Sequence, residues 1–97
     1  LYNKVKPYKE TRQIQHGTDV EYLLRTFDEN VEDEELVWHR DKRNRRVHIL
    51  SGDNWKLQMD DELPKELVVG REYWIPKETY HRLIKGNKNL VLRIENI

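Results

Sequence analysis

The 97-residue sequence contains no cysteine. Disulfides, thiol nucleophiles and thiolate metal sites are excluded, and the absence fits a reducing compartment, so a cytoplasmic location is the expectation. Glycine and proline are scarce, at four and three residues. There is no internal repeat and no low-complexity segment. No apolar run approaches the length of a membrane span, and no secretory leader is recognisable. An excess of either charge is also lacking, because 18 basic residues balance 18 acidic ones. Nothing in that balance demands a polyanionic partner, and nucleic-acid binding is not expected. The basic run Lys42-Arg43-Asn44-Arg45-Arg46 reads as a solvated hairpin tip balanced by the acidic stretch Asp28 to Glu35.

Charged residues make up 37% of the chain and hydrophobic ones 36%. A domain of this size buries roughly 60–70% of its unfolded surface, so one modest core is the limit. Three Trp, five Tyr and one Phe supply much of the available apolar area. Some of them are expected to be covered by a second copy, making the protein a homodimer.

What is present is a series of short β-type runs. Residues 1–19 are polar, broken by Pro7 and Gly17, and read as an N-terminal arm or edge strand ahead of a domain over 20–97. Val20 to Phe27 reads as a strand and Asp28 to Glu35 as an acidic loop. Leu36 to Asp41 reads as a strand entering the turn Lys42-Arg43-Asn44, and Arg46 to Ser51 as its return. Gly52-Asp53-Asn54 signals a turn. Trp55, Leu57 and Met59 alternate with Lys56, Gln58 and Asp60, the period of a half-buried strand. Further strands are expected within 67–75, where Pro76 ends the run, at Thr79 to Ile84 and at Leu90 to Ile94, with Gly86-Asn87-Lys88-Asn89 turning between the last two. Seven or eight short strands at regular spacing read as an all-β sandwich or barrel.

Two segments carry possible chemistry. In the first, His39-Arg40-Asp41 is followed by Lys42-Arg43-Asn44, then Arg45, then six residues, then Gly52. In the second, Gly70 is followed by five residues and then Pro76-Lys77-Glu78-Thr79-Tyr80-His81. In order and spacing they resemble the paired motifs of the cupin superfamily, whose fold is the double-stranded β-helix, a jelly-roll barrel. The resemblance covers about residues 36–94. It departs from the family pattern at Asp41, where a second His is usual, at Arg45, where a Glu is usual, and at Glu78, where a Gly is usual.

Residues i and i+2 of a strand share a face, so His39 and Asp41 would enter the interior together and meet His81 from another strand. Two imidazoles and a carboxylate match the facial triad of non-haem Fe(II) sites, and Mn(II), Ni(II) or Zn(II) also suit such ligands. The resemblance implies a pocket for a small molecule, an anion among the candidates, with Arg45, Gln58 and Tyr73 as further pocket residues. Those three are candidates from residue chemistry, and the alternation does not say which face of its strand Gln58 takes. The resemblance implies isomerase, epimerase, dioxygenase or decarboxylase activity, or binding alone; fold does not decide. The His-x-Asp…His order also resembles iron- and oxoglutarate-dependent oxygenases, with Arg93 near the position of their cosubstrate-binding Arg, although alternation turns Arg93 away from Leu92 and Ile94.

Arg45 sets the main alternative. A guanidinium about 5 Å from a divalent ion costs on the order of several kcal/mol. Either Arg45 swings out to solvent, or the site is metal-free and Arg45 pairs with Asp41 or grips an anionic ligand. In that case the chain is a binding, regulatory or assembly module without catalysis. The plain readings of the individual residues are a hydrogen-bonded core role for His39 and His81 and a turn-opening role for Asp41. His48 reads as a strand residue and His16 as a loop residue.

Overall fold

A computed structural model describes residues 6–18 and 20–97. Eight strands follow in chain order: β1 (Tyr8–Ile14), β2 (Glu21–Phe27), β3 (Arg45–Asp53), β4 (Lys56–Met59), β5 (Lys65–Glu66), β6 (Glu72–Ile75), β7 (His81–Ile84) and β8 (Asn87–Asn96). They form an antiparallel five-stranded sheet in the order β1-β2-β8-β3-β6 and a three-stranded sheet in the order β5-β4-β7. The two sheets share no ladder, so the structure is an open pair of facing sheets rather than a barrel sealed all round. No helix among the described residues is long and apolar enough to cross a membrane.

Alternation explains which side chains fill the space between the sheets. Leu57 and Met59 of β4, Val47 and Ile49 of β3, and Leu90, Leu92 and Ile94 of β8 are buried, while their neighbours are more open. Trp55, just before β4, is fully enclosed and donates its indole N–H to the carbonyls of Asn87 (3.1 Å) and Lys88 (3.0 Å). Trp38 and Trp74 lie instead at 40% and 49% exposure. Gly86 closes this end because the chain crosses there against backbone: a Cβ would stand 2.3 Å from the Asp53 carbonyl oxygen.

Of the two readings of the N-terminal segment, arm or edge strand, residues 8–14 take the second: β1 pairs with β2 along its whole length and forms an edge of the larger sheet. Two expectations need correction. The acidic loop contains a single 3-10 turn at Asp33–Glu35, with Glu32 and Glu35 forming a capping box. Leu36 to Asp41 is not a strand. Only His39 pairs there, in an isolated bridge to His81, with its N–H donating to the His81 carbonyl (3.0 Å) and its carbonyl accepting in return (2.9 Å). Local bonds take the flanking groups instead. The His39 ring takes the Val37 carbonyl, and the Glu78 N–H takes the Asp41 carbonyl.

Candidate metal centre and cavity

The polar site lies at the end of the sheets opposite Trp55. β3 and β8 start and finish there, with Arg45 beside Asn96, and Met59 of β4 pairs with His81 of β7. The single bridge between residues 39 and 81 brings the two histidines face to face, with ring centroids 4.3 Å apart. Two residues on, the Asp41 carbonyl accepts the Glu78 N–H at 2.7 Å, which ties the carboxylate's segment to the turn before His81. Glu78 holds φ at +60° in that turn, the left-handed conformation that glycine adopts at lower cost. Asn44 braces the same turn by accepting the Lys77 N–H at 2.9 Å.

The protonation of both rings is set by their own chain. His39 Nδ1 lies 3.0 Å from the Val37 carbonyl, and His81 Nδ1 lies 2.8 Å from the Thr79 carbonyl. A carbonyl only accepts, so each Nδ1 carries the hydrogen, and a neutral ring then presents Nε2 as a lone pair. Asp41 Oδ2 stands 3.2 Å from His81 Nε2, and Asp41 Oδ1 stands 4.0 Å from His39 Nε2. Ligand atoms of all three residues fall within 4.8 Å of one another.

The Oδ2 atom is buried and has no hydrogen-bond partner among the described residues. His81 can donate to it only when its ring is doubly protonated. With a neutral ring, a buried carboxylate oxygen faces a lone pair, which is unfavourable unless a proton or a cation lies between them. The donor set therefore fits a divalent ion. Ligand atoms around such an ion at roughly 2.1 Å are roughly 3.0–3.4 Å apart, so the 3.2 Å pairing of Asp41 with His81 already fits and His39 has to close in from a separation of up to 4.8 Å. The His39 side chain is 46% exposed and has room to move.

Electrostatics favour the ligand forms. Burial lowers the His39 pKa from its ordinary 6.5, and the neighbouring His81 adds to the effect, so the ring is neutral at physiological pH. Burial alone would raise Asp41. The neighbouring His81 and the positive charge of Arg45 outweigh it and hold the carboxyl below its ordinary 3.8.

Arg45 stays inside. Its Nη1 lies 3.4 Å from Asp41 Oδ1, and its Nε donates to Asn96 Oδ1 at 3.0 Å. Arg45 and Asp41 line a cavity of about 360 Å³ together with His39, Arg25 and a largely apolar wall that includes Tyr8, Phe27 and Leu36. Tyr73 lines the narrower space beneath, but its hydroxyl accepts the Val68 N–H (2.8 Å) and donates to the Glu66 carbonyl (3.0 Å). Gln58 does not line either space. The alternation that sends Leu57 and Met59 inward turns it out, where it accepts from Arg82 Nε (3.0 Å) and donates to the Glu62 carbonyl (3.2 Å). Arg93 also faces outward, over the Tyr22 ring at 4.9 Å, and His48 lies 3.4 Å from Glu72.

Arg25 was not singled out in the sequence. It is 9% exposed on the inner face of β2 between Leu23 and Phe27, bonded through Nε to Glu10 Oε2 at 2.7 Å and stacked over Tyr8 at 3.8 Å. The signal was available: in Leu23-Leu24-Arg25-Thr26-Phe27, strict alternation puts the arginine on the same side as two apolar residues.

The chain thus has the cupin fold, with a His–Asp–His group at one end of the space between its sheets. No protein-family model matches the sequence, and no curated protein matches it in sequence. Solved structures do match. An RmlC-like cupin family protein with a double-stranded β-helix fold from Methanocaldococcus jannaschii is 14% identical, covering 99% of this chain and 84% of its own, with a TM-score of 0.65. The DMSP lyase DddQ from Ruegeria pomeroyi DSS-3 is 12% identical, covering 98% and 49%, with a TM-score of 0.76. A cobalt(II) form of HppE in complex with Tris is 16% identical, covering 97% and 55%, with a TM-score of 0.67. This chain spans about half the length of the latter two.

Proposed function

We propose that this protein binds a small molecule in the cavity beside a divalent transition metal held by His39, Asp41 and His81. The observation that carries the reading is that His39 Nε2 and His81 Nε2 both face the Asp41 carboxylate, whose Oδ2 beside His81 is buried and without a partner among the described residues. The Nδ1 bonds to Val37 and Thr79 fix both rings in the ligating tautomer, as outer-shell partners do in metal sites. An ion of the Fe(II), Mn(II), Ni(II) or Zn(II) class would supply a Lewis acid with open positions toward the cavity. Tyr8, Phe27 and Leu36 give the cavity an apolar wall beside the site. The cobalt(II) form of a fold neighbour is consistent with such a site. The reading is of binding, since a shared fold assigns no reaction.

A specific observation favours a second reading. Arg45 already pairs with Asp41, and that contact neutralises the carboxylate with no metal. The two are separated by titrating chelator-treated protein with Zn(II), Mn(II) and anaerobic Fe(II). The metal reading expects close to one equivalent bound and a raised melting temperature, as linkage requires. Retention below about a tenth of an equivalent of each, with no thermal shift, supports the metal-free module instead.

A further inference from the structure

We infer that the cavity takes a small carboxylate with an apolar body, and that the carboxylate and the metal bind together because Arg45 passes from Asp41 to the ligand. The inference rests on the metal reading above and names the ligand class of that site. Its basis is the charge arrangement inside the cavity. Lys6, Arg25 and Arg45 stand on the wall against Glu35 and Asp41, and Glu10 backs Arg25. Three cations and three anions leave the metal-free cavity balanced, with each guanidinium already matched to a carboxylate.

A divalent ion at His39, Asp41 and His81 adds two positive charges and draws Asp41 toward itself. The Arg45–Asp41 contact is poised for that change. At 3.4 Å it is longer than the roughly 2.7–2.9 Å of a tight charged hydrogen bond, so little is lost when it breaks. Arg45 does not collapse, because Asn96 holds its Nε. Its Nη2 has no partner among the described residues and is not a sealed, unsatisfied atom. The guanidinium then offers an edge to the cavity, the geometry that reads a carboxylate. The remaining wall is apolar, through Tyr8, Phe27, Leu36, Val37 and Leu83. A ligand with one carboxylate and an apolar remainder satisfies both parts. Coupling between two ligands is reciprocal, so the carboxylate must tighten the metal by the same factor.

The test uses calorimetry on the full chain at fixed salt, with Zn(II) as the metal and benzoate and 3-methylbutanoate as probes, against benzamide and 3-methylbutanamide. The expected result is carboxylate affinity at least tenfold higher with zinc than without, and no such gain for the amides. In Arg45→Gln the zinc affinity rises while carboxylate affinity of the zinc form falls at least tenfold. If that variant does not fold, Arg45→Lys serves: it keeps the charge and loses the fork, and carboxylate binding weakens while zinc binding holds. Zinc bound at one equivalent, but with carboxylates no better than amides, overturns the ligand class and leaves the metal site standing. Equal carboxylate affinity with and without zinc overturns the coupling. Failure to bind zinc removes the metal reading, and this inference falls with it.

Discussion

The same two sheets enclose very different interiors at their two ends. At one end β3 finishes, β8 begins, and Trp55, Ile49 and Leu90 are at most 1% exposed. The buried polar group there is answered by backbone, the Trp55 N–H meeting two carbonyls. At the other end Asp41, His81 and Arg45 occupy the space that apolar side chains would fill, and one carboxylate oxygen is left without a partner. A domain with so few hydrophobic residues gains little from placing ionisable groups inside, since buried pairs seldom repay their desolvation. The contrast teaches that one end is closed by apolar packing while the other gives its interior to ionisable side chains.

Substitutions at the two ends should therefore fail differently. The largest effect belongs to the apolar end. Trp55→Ala should cost about 3–5 kcal/mol, a large share of the total stability of a small domain. Chemical denaturation should show a folded fraction lost or a midpoint sharply lowered. A Trp55→Ala protein with a near wild-type midpoint would mean that this end is not the anchor of the core.

At the polar end His81→Ala should leave the strands in place and abolish stoichiometric metal binding, lowering affinity at least a hundredfold. His48→Ala, on the outer side of β3, is the control and should bind metal as the parent does. Circular dichroism and metal titration on the same samples separate the two. Equal losses in both variants would sink the assignment.

Acidification sharpens the comparison further. The His39 pKa is lowered in the folded state, so the unfolded chain takes up the proton first. Stability is complete above about 6.5 and declines as pH falls below it toward the depressed value. Asp41, also lowered, contributes stability that is present above 3.8 and is lost as pH falls through its folded value. Metal-free protein should thus lose melting temperature in the first window, and His39→Gln should lose less. Parallel curves for the two proteins between pH 7.5 and 5 would contradict the placement of His39.

The smallest effect concerns Glu78. A non-glycine residue at φ +60° carries roughly 1–2 kcal/mol of strain, part of which glycine gives back through the entropy of its unfolded chain. Glu78→Gly should raise the denaturation midpoint by an amount worth at most about 1 kcal/mol, and Glu78→Val should lower it by a similar amount.

Much of this arrangement could be read from the residues alone. The period-2 pattern of Trp55 to Met59 and of Leu90 to Ile94 set two strands and their buried faces. Motif spacing brought residues 39, 41 and 81 into one site although they arrive differently. The Leu36 to Asp41 stretch has β-type composition, but its ends are bound by local contacts, and composition carries no information about which partner a carbonyl finds. Alternation gives strand β4 two faces; Leu57 and Met59, both apolar, take the inner one and turn Gln58 out. The inward side of Arg25 could be read from its alternation with Leu23 and Phe27, but its partner Glu10 could not, because it lies 15 residues away on another strand.

The most direct measurement is anomalous diffraction from crystals of chelator-treated protein soaked in Zn(II). The arrangement described predicts one strong peak, roughly 2.0–2.2 Å from Nε2 of both histidines and from an oxygen of Asp41, with Arg45 turned toward the cavity. A peak confined to surface carboxylates, or a salt-bridged Asp41 and no ion beside it, would contradict the central claim.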